Sequence, residues 1–265
     1  MALTFGKYQG AGNDFLVVDV GSEDAVPTSL AARLCDRRFG VGGDGVLLVL
    51  PSRSSAGLAR MKVINADGSV PEMCGNGLRC VALHLARRHR ISEVIVDTDA
   101  GDRRCIVMDG PEPRVRIDMG PITVGSSVRI EGPAHSYSFV RANAGNPHAV
   151  TFEHATRSIV DVVGPFVEKH PAFPGGTNVE FAERTEDGID LIVWERGVGV
   201  THACGTGACA TVAVAVSQGL LPAGVPCNVR LPGGMLTVTV NERGEAILEG
   251  PAVHVFSGSI SRGGP

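Results

Sequence analysis

The 265-residue chain is predicted to form two similar lobes, each a set of short strands with one buried helix. Three observations predict this. The run ACGTGACA (Ala203–Ala210) puts Cys204 directly before Gly205-Thr206-Gly207 and a stretch of small apolar residues, and CGNGLRC (Cys74–Cys80) has the same layout 130 residues earlier. Gly12-Asn13-Asp14 returns as Gly145-Asn146-Pro147, 133 residues on, and two echoes at nearly one offset mark an internal duplication. Finally, 35 glycines and 16 prolines supply the many turns that short strands need. The duplication predicts two lobes facing each other, each bringing one cysteine to a shared cleft.

Taken in order, LTFGKYQGAGNDFLVVDV (Leu3–Val20) reads as strand, glycine-rich turn, strand. LAARLCDRRF (Leu30–Phe39) has helical spacing at Leu30, Leu34 and Cys35 or Arg38. GVGGDG (Gly40–Gly45) matches the spacing of a dinucleotide loop, but such a loop follows a strand and opens a helix. Here the order is reversed, so the run is a turn into the strand Val46–Leu50. Met61–Asn65 is another strand, with its turn at Ala66–Ser69. After the first cysteine loop, Leu78, Val81, Ala82 and Leu85 make one apolar helical stripe. Arg87-Arg88-His89-Arg90 is the solvated last turn of that helix, where cations suit the dipole. Val94–Thr98, Arg104–Met108 and Val115–Met119 are strands, with turns at Gly101-Asp102 and Gly110-Pro111.

The second half repeats this style. Tyr137–Asn143 and Ala149–Phe152 are strands flanking Asn-Pro-His, Ser158–Lys169 is a helix, and Asn178–Ala182 and Gly188–Trp194 are strands. Glu195–Thr201 is a loop into the second cysteine motif. Ala208–Val216 is apolar and β-branched, which by itself fits a strand or a helix. Its helical first copy favours a buried helix ending at Gly219. Val229–Leu231, Met235–Val240, Ala246–Gly250 and His254–Phe256 are the remaining strands.

Composition narrows the function. Hydrophobic residues at 43% and charged residues at 20% describe an ordinary soluble protein. A net charge of −4 gives no sign of a nucleic-acid partner. The N-terminus has no apolar signal core, and no stretch approaches the roughly 18 apolar residues of a membrane span, so a cytoplasmic location is expected. Seven cysteines is an odd count, and no disulfide framework is expected in that compartment. No CxxC occurs, which argues against a zinc knuckle or a thioredoxin-like pair.

A cysteine at a helix N-terminus is a nucleophile, a metal ligand or a redox thiol, its thiolate favoured by the dipole and by backbone N–H groups. Two such thiols across a cleft suit one further task. One takes a proton from one face of a carbon and the other returns a proton to the opposite face. Helix ends holding an adjacent carboxylate would stabilise the charge that grows as the Cα–H bond breaks. That combination fits racemisation or epimerisation without pyridoxal phosphate. Cys35, Cys105 and Cys227 read as packed apolar residues, as do Cys80 and Cys209 inside the helices. Taken alone, Asn13 and Asn146 are turn residues and Asn65 and Asn178 strand-end caps. His148 is a packed ring or a site residue, and Arg196 beside Glu195 a surface pair.

KYQGAGNDFLVVD (Lys7–Asp19), NADGSVPEMCGNGLRC (Asn65–Cys80), AGNPHAV (Ala144–Val150), GTNVEF (Gly176–Phe181) and ERGVGVTHACGTGACA (Glu195–Ala210) together resemble the diaminopimelate epimerases, almost end to end. The resemblance implies an α+β fold of two pseudo-symmetric lobes, each a barrel-like, mostly antiparallel sheet around a central helix. The lobes would be 1–119, joined by the C-terminal strand 254–265, and 120–253. It implies a cofactor- and metal-independent enzyme that interconverts LL- and meso-diaminopimelate in lysine and cell-wall precursor synthesis, in a family whose members are often homodimers. Cys74 and Cys204 would be the acid–base pair. Gly75-Asn76 and Gly205-Thr206 would hold the reacting carboxylate, while His148 and Glu195 orient the reacting centre, Glu195 near its ammonium. Asn146 would line the pocket, and Asn13, Asn65, Asn178 and Arg196 would read the distal end. Two departures stand out: Gly45 where many relatives carry glutamine, and Val200 and His202 where Glu and Leu are common. The proline racemases share the two-thiol logic, but their first motif typically has His where this chain has Asn76. A non-catalytic thiol protein is the remaining alternative.

Overall fold

The computed structural model describes residues 2–71, 73–132 and 135–261. Residue 1 and residues 262–265, which the sequence reading places in the first lobe, lie outside the described residues. The chain gathers into two compact units, Met1–Ile117 with Gly250–Pro265, and Asp118–Glu249.

In the first unit, β1 (Ala2–Gly10) and β2 (Asn13–Asp19) form an antiparallel hairpin. Its two turn residues, Ala11 at φ 53° and Gly12 at φ 80°, both take the left-handed conformation that a tight hairpin needs. Helix α1 (Thr28–Cys35) leads to β3 (Gly45–Leu50), which runs parallel to β2. β4 (Ala59–Asn65) returns antiparallel to β3. Helix α2 (Gly75–His89) leads to β5 (Glu93–Asp97), parallel to β4, and β6 (Arg103–Met108) and β7 (Arg114–Pro121) continue as a meander. Parallel neighbours cannot be joined by a hairpin, so each parallel pair has a helix in its connection. Helix α1 stops at Cys35 rather than Phe39, because the Asp36 carboxylate accepts the Arg38 and Phe39 N–H groups at 2.7 and 2.8 Å and bends the chain away.

The second unit repeats the order. β8 (Thr123–Glu131), β9 (Ser136–Asn143) and β10 (Pro147–Thr151) pair antiparallel in turn. Helix α3 (Arg157–Glu168) leads to β11 (Asn178–Thr185), parallel to β10, and β12 (Gly188–Glu195) returns antiparallel. The loop into the second cysteine motif contains the two-residue strand β13 (Gly199–Val200). Helix α4 (Gly205–Ser217) leads to β14 (Cys227–Leu231), parallel to β12, followed by β15 (Gly234–Val240) and β16 (Glu245–Pro251). The last strand, β17 (Val253–Ser261), belongs to the first unit and pairs antiparallel with β1.

Each sheet therefore has an outer helix and an inner one. Val160, Val163 and Val167 of α3 pack on Tyr137, Phe139, Val179 and Phe181, while Val150 and Val140 meet Ala210 and Val214 of α4 on the other face. In the first unit Leu34 of α1 packs on Leu16, Val46 and Leu48. Helix α2 contacts β1 to β6 and β17, and α4 contacts β8 to β11 and β15, so each inner helix is wrapped by its own sheet. All residues from Gly205 to Ala215 are buried. A helix enclosed on every side has no polar face, which is why Ala208–Val216 carries no amphipathic period. The fold is the predicted α+β class. Strand β8 was not legible, because Ile130 is its one buried residue and an exposed strand shows no apolar alternation.

Candidate active site

Cys204 is the N-cap of α4, and Cys74 is the N-cap of α2. Both have extended backbone, and both sulfurs accept the N–H of the third residue on, from Gly207 at 3.4 Å and Gly77 at 3.3 Å. The second glycine of each motif lets the neighbouring strand come close. A Cβ on Gly207 would lie 2.9 Å from Glu180 Oε1, and one on Gly77 would lie 2.8 Å from Leu47 Cδ2. First-turn N–H groups have no partner within their own helix and point outward along its axis, so each motif is built to receive an anion.

Strand alternation decides what surrounds Cys204. Val179 and Phe181 face α3, so Asn178 and Glu180 point to the α4 side of β11. On β12, Ile192 and Trp194 pack with the α3 cluster, which puts Glu195 on the α4 side too. On β10, His148 shares the face of Val150 and pairs in register with Asn178. The result is a buried polar cluster. His148 Nδ1 lies 2.7 Å from Glu180 Oε1, with neither side chain exposed, and His148 Nε2 lies 2.8 Å from Asn146 Oδ1. Thr201 donates to Glu195 at 2.5 Å, and Thr206 Oγ1 is 3.5 Å from the Cys204 sulfur.

The electrostatics depart from the helix-dipole expectation. Burial pushes the Cys204 thiol well above the ordinary thiol range, and the Glu195 and Glu180 carboxyls push it further; the Thr206 hydroxyl and Gly207 N–H oppose this without winning. Burial also raises Glu195, against hydrogen bonding from Thr201 and the charge of His148. Glu180 is raised by burial, with His148 opposing. In this setting Cys204 rests as a thiol, poised to give a proton.

The loop after β12 is braced from three sides. Asn178 donates to the Pro147 carbonyl at 3.0 Å and accepts the Arg196 N–H at 2.9 Å. Glu168, at the end of α3, accepts the Trp194 indole N–H at 2.7 Å and the Gly197 N–H at 3.0 Å. The exposed Arg196 side chain is steadied by the Gly175 carbonyl at 3.0 Å. Asn178 thus works partly as the strand-end brace that its position suggested.

Around Cys74 the first unit is arranged differently. Asn76 donates to Asn13 Oδ1 at 3.2 Å, and Asn13 donates to Asp44 at 2.6 Å. Arg79, fully buried in α2, donates to Asn76 at 2.9 Å and to the Pro251 carbonyl at 3.0 Å. Asp14 lies below the usual carboxylate range: burial alone would raise it, but hydrogen bonds from Arg37 and Lys7 outweigh that. Asn65 ends β4 and donates to Ser69 at 2.9 Å. Gly45, named above as a departure from the resemblance, sits against β4, and a Cβ there would meet the Ile64 carbonyl at 2.8 Å. Val200 pairs with Trp194 in the sheet, and His202 is exposed.

Of the sequence candidates, Gly205 and Thr206 form the first turn of α4 beside Cys204, Glu195 lies against its sulfur, and His148 and Asn146 join the cluster through Glu180, whereas Asn178 and Arg196 brace the loop after β12. Asn13, Gly75 and Asn76 gather at the start of α2 with Cys74. Glu180 was missed as a site residue, although an acid between Val179 and Phe181 in an apolar strand was the available signal. Asp44 and Thr201 were also missed. The five other cysteines are buried and unbridged, with burial raising Cys35 to about 11 and Cys80 to about 12. Among the described residues, no three His, Cys, Asp or Glu side chains are grouped as a metal ion would need.

Residues 5–124 and 140–255 match the family model described as diaminopimelate epimerase. A diaminopimelate epimerase from Desulforudis audaxviator is 43% identical, over 98% of this chain and 100% of that protein. One from Gloeothece citriformis is 40% identical, over 97% and 99%. Among solved structures, a hydroxyproline epimerase from Agrobacterium vitis aligns with a TM-score of 0.79 at 18% identity, over 100% of this chain and 94% of that one, a likeness of fold. Matched over nearly its whole length at such identity, the chain belongs to the diaminopimelate epimerase family.

Proposed function

We propose that this chain interconverts LL- and meso-diaminopimelate, with Cys74 and Cys204 as the acid–base pair and no pyridoxal phosphate. The observation that carries the reading is the repeated motif: a cysteine capping a wrapped helix, with glycines that admit close approach, once in each unit. Gly75, Asn76, Gly205 and Thr206 would hold the reacting carboxylate by backbone N–H groups, which strengthen their hold as carbanion charge develops. Glu195 would receive the reacting ammonium, with His148 and Asn146 lining the same centre. Asn13, Asn65, Asn178 and Arg196 would read the distal amino acid end, a guanidinium being suited to a carboxylate by its paired donors. Asn76 in place of histidine, together with these distal polar groups, favours diaminopimelate over proline. A cytoplasmic homodimer is part of the reading. Seven unbridged thiols suit a reducing compartment, and sedimentation of the purified protein tests the dimer.

Isotope transfer tests the mechanism. A thiol carries one proton, so the proton taken from the substrate stays on the first sulfur while the second delivers one from solvent. LL-diaminopimelate incubated in heavy water and sampled early should give meso product deuterated at the inverted carbon, with recovered LL substrate largely unlabelled. Early meso product that keeps its original hydrogen would overturn the two-thiol assignment.

A further inference from the structure

Glu180 sits on β11 with no exposed surface, on the same face as Asn178 and toward α4. One of its carboxyl oxygens meets His148 Nδ1 at 2.7 Å. The other, Oε2, is buried and has no hydrogen-bond partner among the described residues. A buried carboxyl with an unpaired oxygen opposes folding rather than helping it.

The first unit shows that the fold does not need a carboxyl there. In β2 and β3, Phe15 pairs with Gly45; in β10 and β11, His148 pairs with Asn178. The offset is 133 residues, the same as between Asn13 and Asn146, and it carries Leu47 onto Glu180. Their contacts agree, since Leu47 lies against Gly77 as Glu180 lies against Gly207. A leucine fills this position in one copy of the motif, so the glutamate in the other serves something besides packing.

The imidazole shows what that is. Asn146 Oδ1, 2.8 Å from His148 Nε2, can only accept, so Nε2 carries a hydrogen. Nδ1 and Glu180 then share one further proton, as imidazolium with carboxylate or as imidazole with carboxylic acid. Both forms have no net charge, which suits a site without solvent. We propose that Glu180 is a positioning residue for the epimerisation. It grips His148 at Nδ1 through one shared proton, so that the Nε2–H edge is held toward Asn146 and the reacting centre. This rests on the function proposed above.

The test uses the full-length enzyme with Glu180→Gln and Glu180→Leu. The near-isosteric glutamine should melt close to wild type, while the leucine variant, which leaves the buried His148 Nδ1 without its partner, should fold but melt lower. Epimerisation of LL-diaminopimelate should lose kcat roughly 10–100-fold, the scale on which orienting partners of working histidines act, with KM little changed. Nitrogen NMR of His148 should show a shifted Nδ1 in Glu180→Leu, because the partner of the shared proton is gone whichever group held it, while Nε2 keeps its hydrogen. Unchanged kcat, or a kcat loss with unchanged His148 nitrogens, would overturn the proposal. Wild-type enzyme inactive on LL-diaminopimelate would overturn the function itself. The NMR comparison needs no substrate and would still test the grip on His148.

Discussion

Cys74 is partly exposed, and the side chains in equivalent places on its sheet are Phe15, Leu47 and Asn65. Cys204 is buried, and in those places stand His148, Glu180 and Glu195. The helices begin alike, with the same cap, the same glycines and the same sulfur-to-amide contact. What differs is the sheet side: apolar and neutral in the first unit, ionisable in the second. A helix dipole contributes within its first turn, on the order of 1 kcal/mol, whereas burial and two neighbouring carboxyls act on Cys204 from several directions at once. The same motif can therefore sit in two different acid–base environments, and the surroundings rather than the cap set the resting form.

The largest expected effect tests whether both ends are needed. Cys74→Ala and Cys204→Ala should each lower epimerisation by about a thousandfold or more while the fold is retained, as removal of one member of a catalytic set does. Full turnover by the Cys204→Ala enzyme would end the two-thiol reading and make the comparison irrelevant to function.

Next in size is Arg196, which belongs to the second unit alone. Arg196→Lys loses the paired donors and should cost kcat/KM about 10–100-fold, since a point-charge ammonium cannot replace a guanidinium fork. L-lysine, which lacks the distal carboxylate, should be a poor substrate because polar groups would stay unpaired. Comparable turnover of lysine and diaminopimelate would show that the distal end is not read there.

Alkylation reads the two thiols directly. Iodoacetamide near neutral pH should label Cys74 at least about tenfold faster than Cys204, since the thiolate is the reactive form and access is required. Raising the pH above the ordinary thiol range should bring up Cys204 labelling, because its raised pKa keeps it protonated until then. Mass spectrometry of peptides containing each residue would show this, and equal rates at neutral pH would erase the contrast.

The smallest effect concerns the glycines. Gly77→Ala and Gly207→Ala should both be destabilising, as overpacking usually costs about 1–3 kcal/mol. Gly207→Ala should be worse by about 1 kcal/mol, because Glu180 Oε1 is held by His148, whereas the Leu47 methyls can rotate away. Denaturant melts with equal losses would mean that the two neighbourhoods are equally rigid, and Gly77→Ala the weaker variant would mean that the first is the more rigid.

The amino-acid sequence by itself determined the duplication, the two capped helices and most of the strands. These follow from local chemistry: a cysteine before glycines, apolar periods of two or near four, and turn residues between them. It also put Asn178 at a strand end and Glu195 at the start of the loop into the second cysteine motif. Only the tertiary structure decided the rest. Strand β8 forms because β9 offers it a ladder, not because its own residues are apolar. Asn178 spends its amide bracing Arg196, which depends on where a loop returns. Glu180 becomes part of the site because β10 and β11 pair in one register and α4 lies on one face, and a slip by one residue would have turned it toward α3. The resting state of Cys204 was decided in the same way, since desolvation and the charges of distant residues are set by what folds around a thiol and not by the residues beside it in the chain.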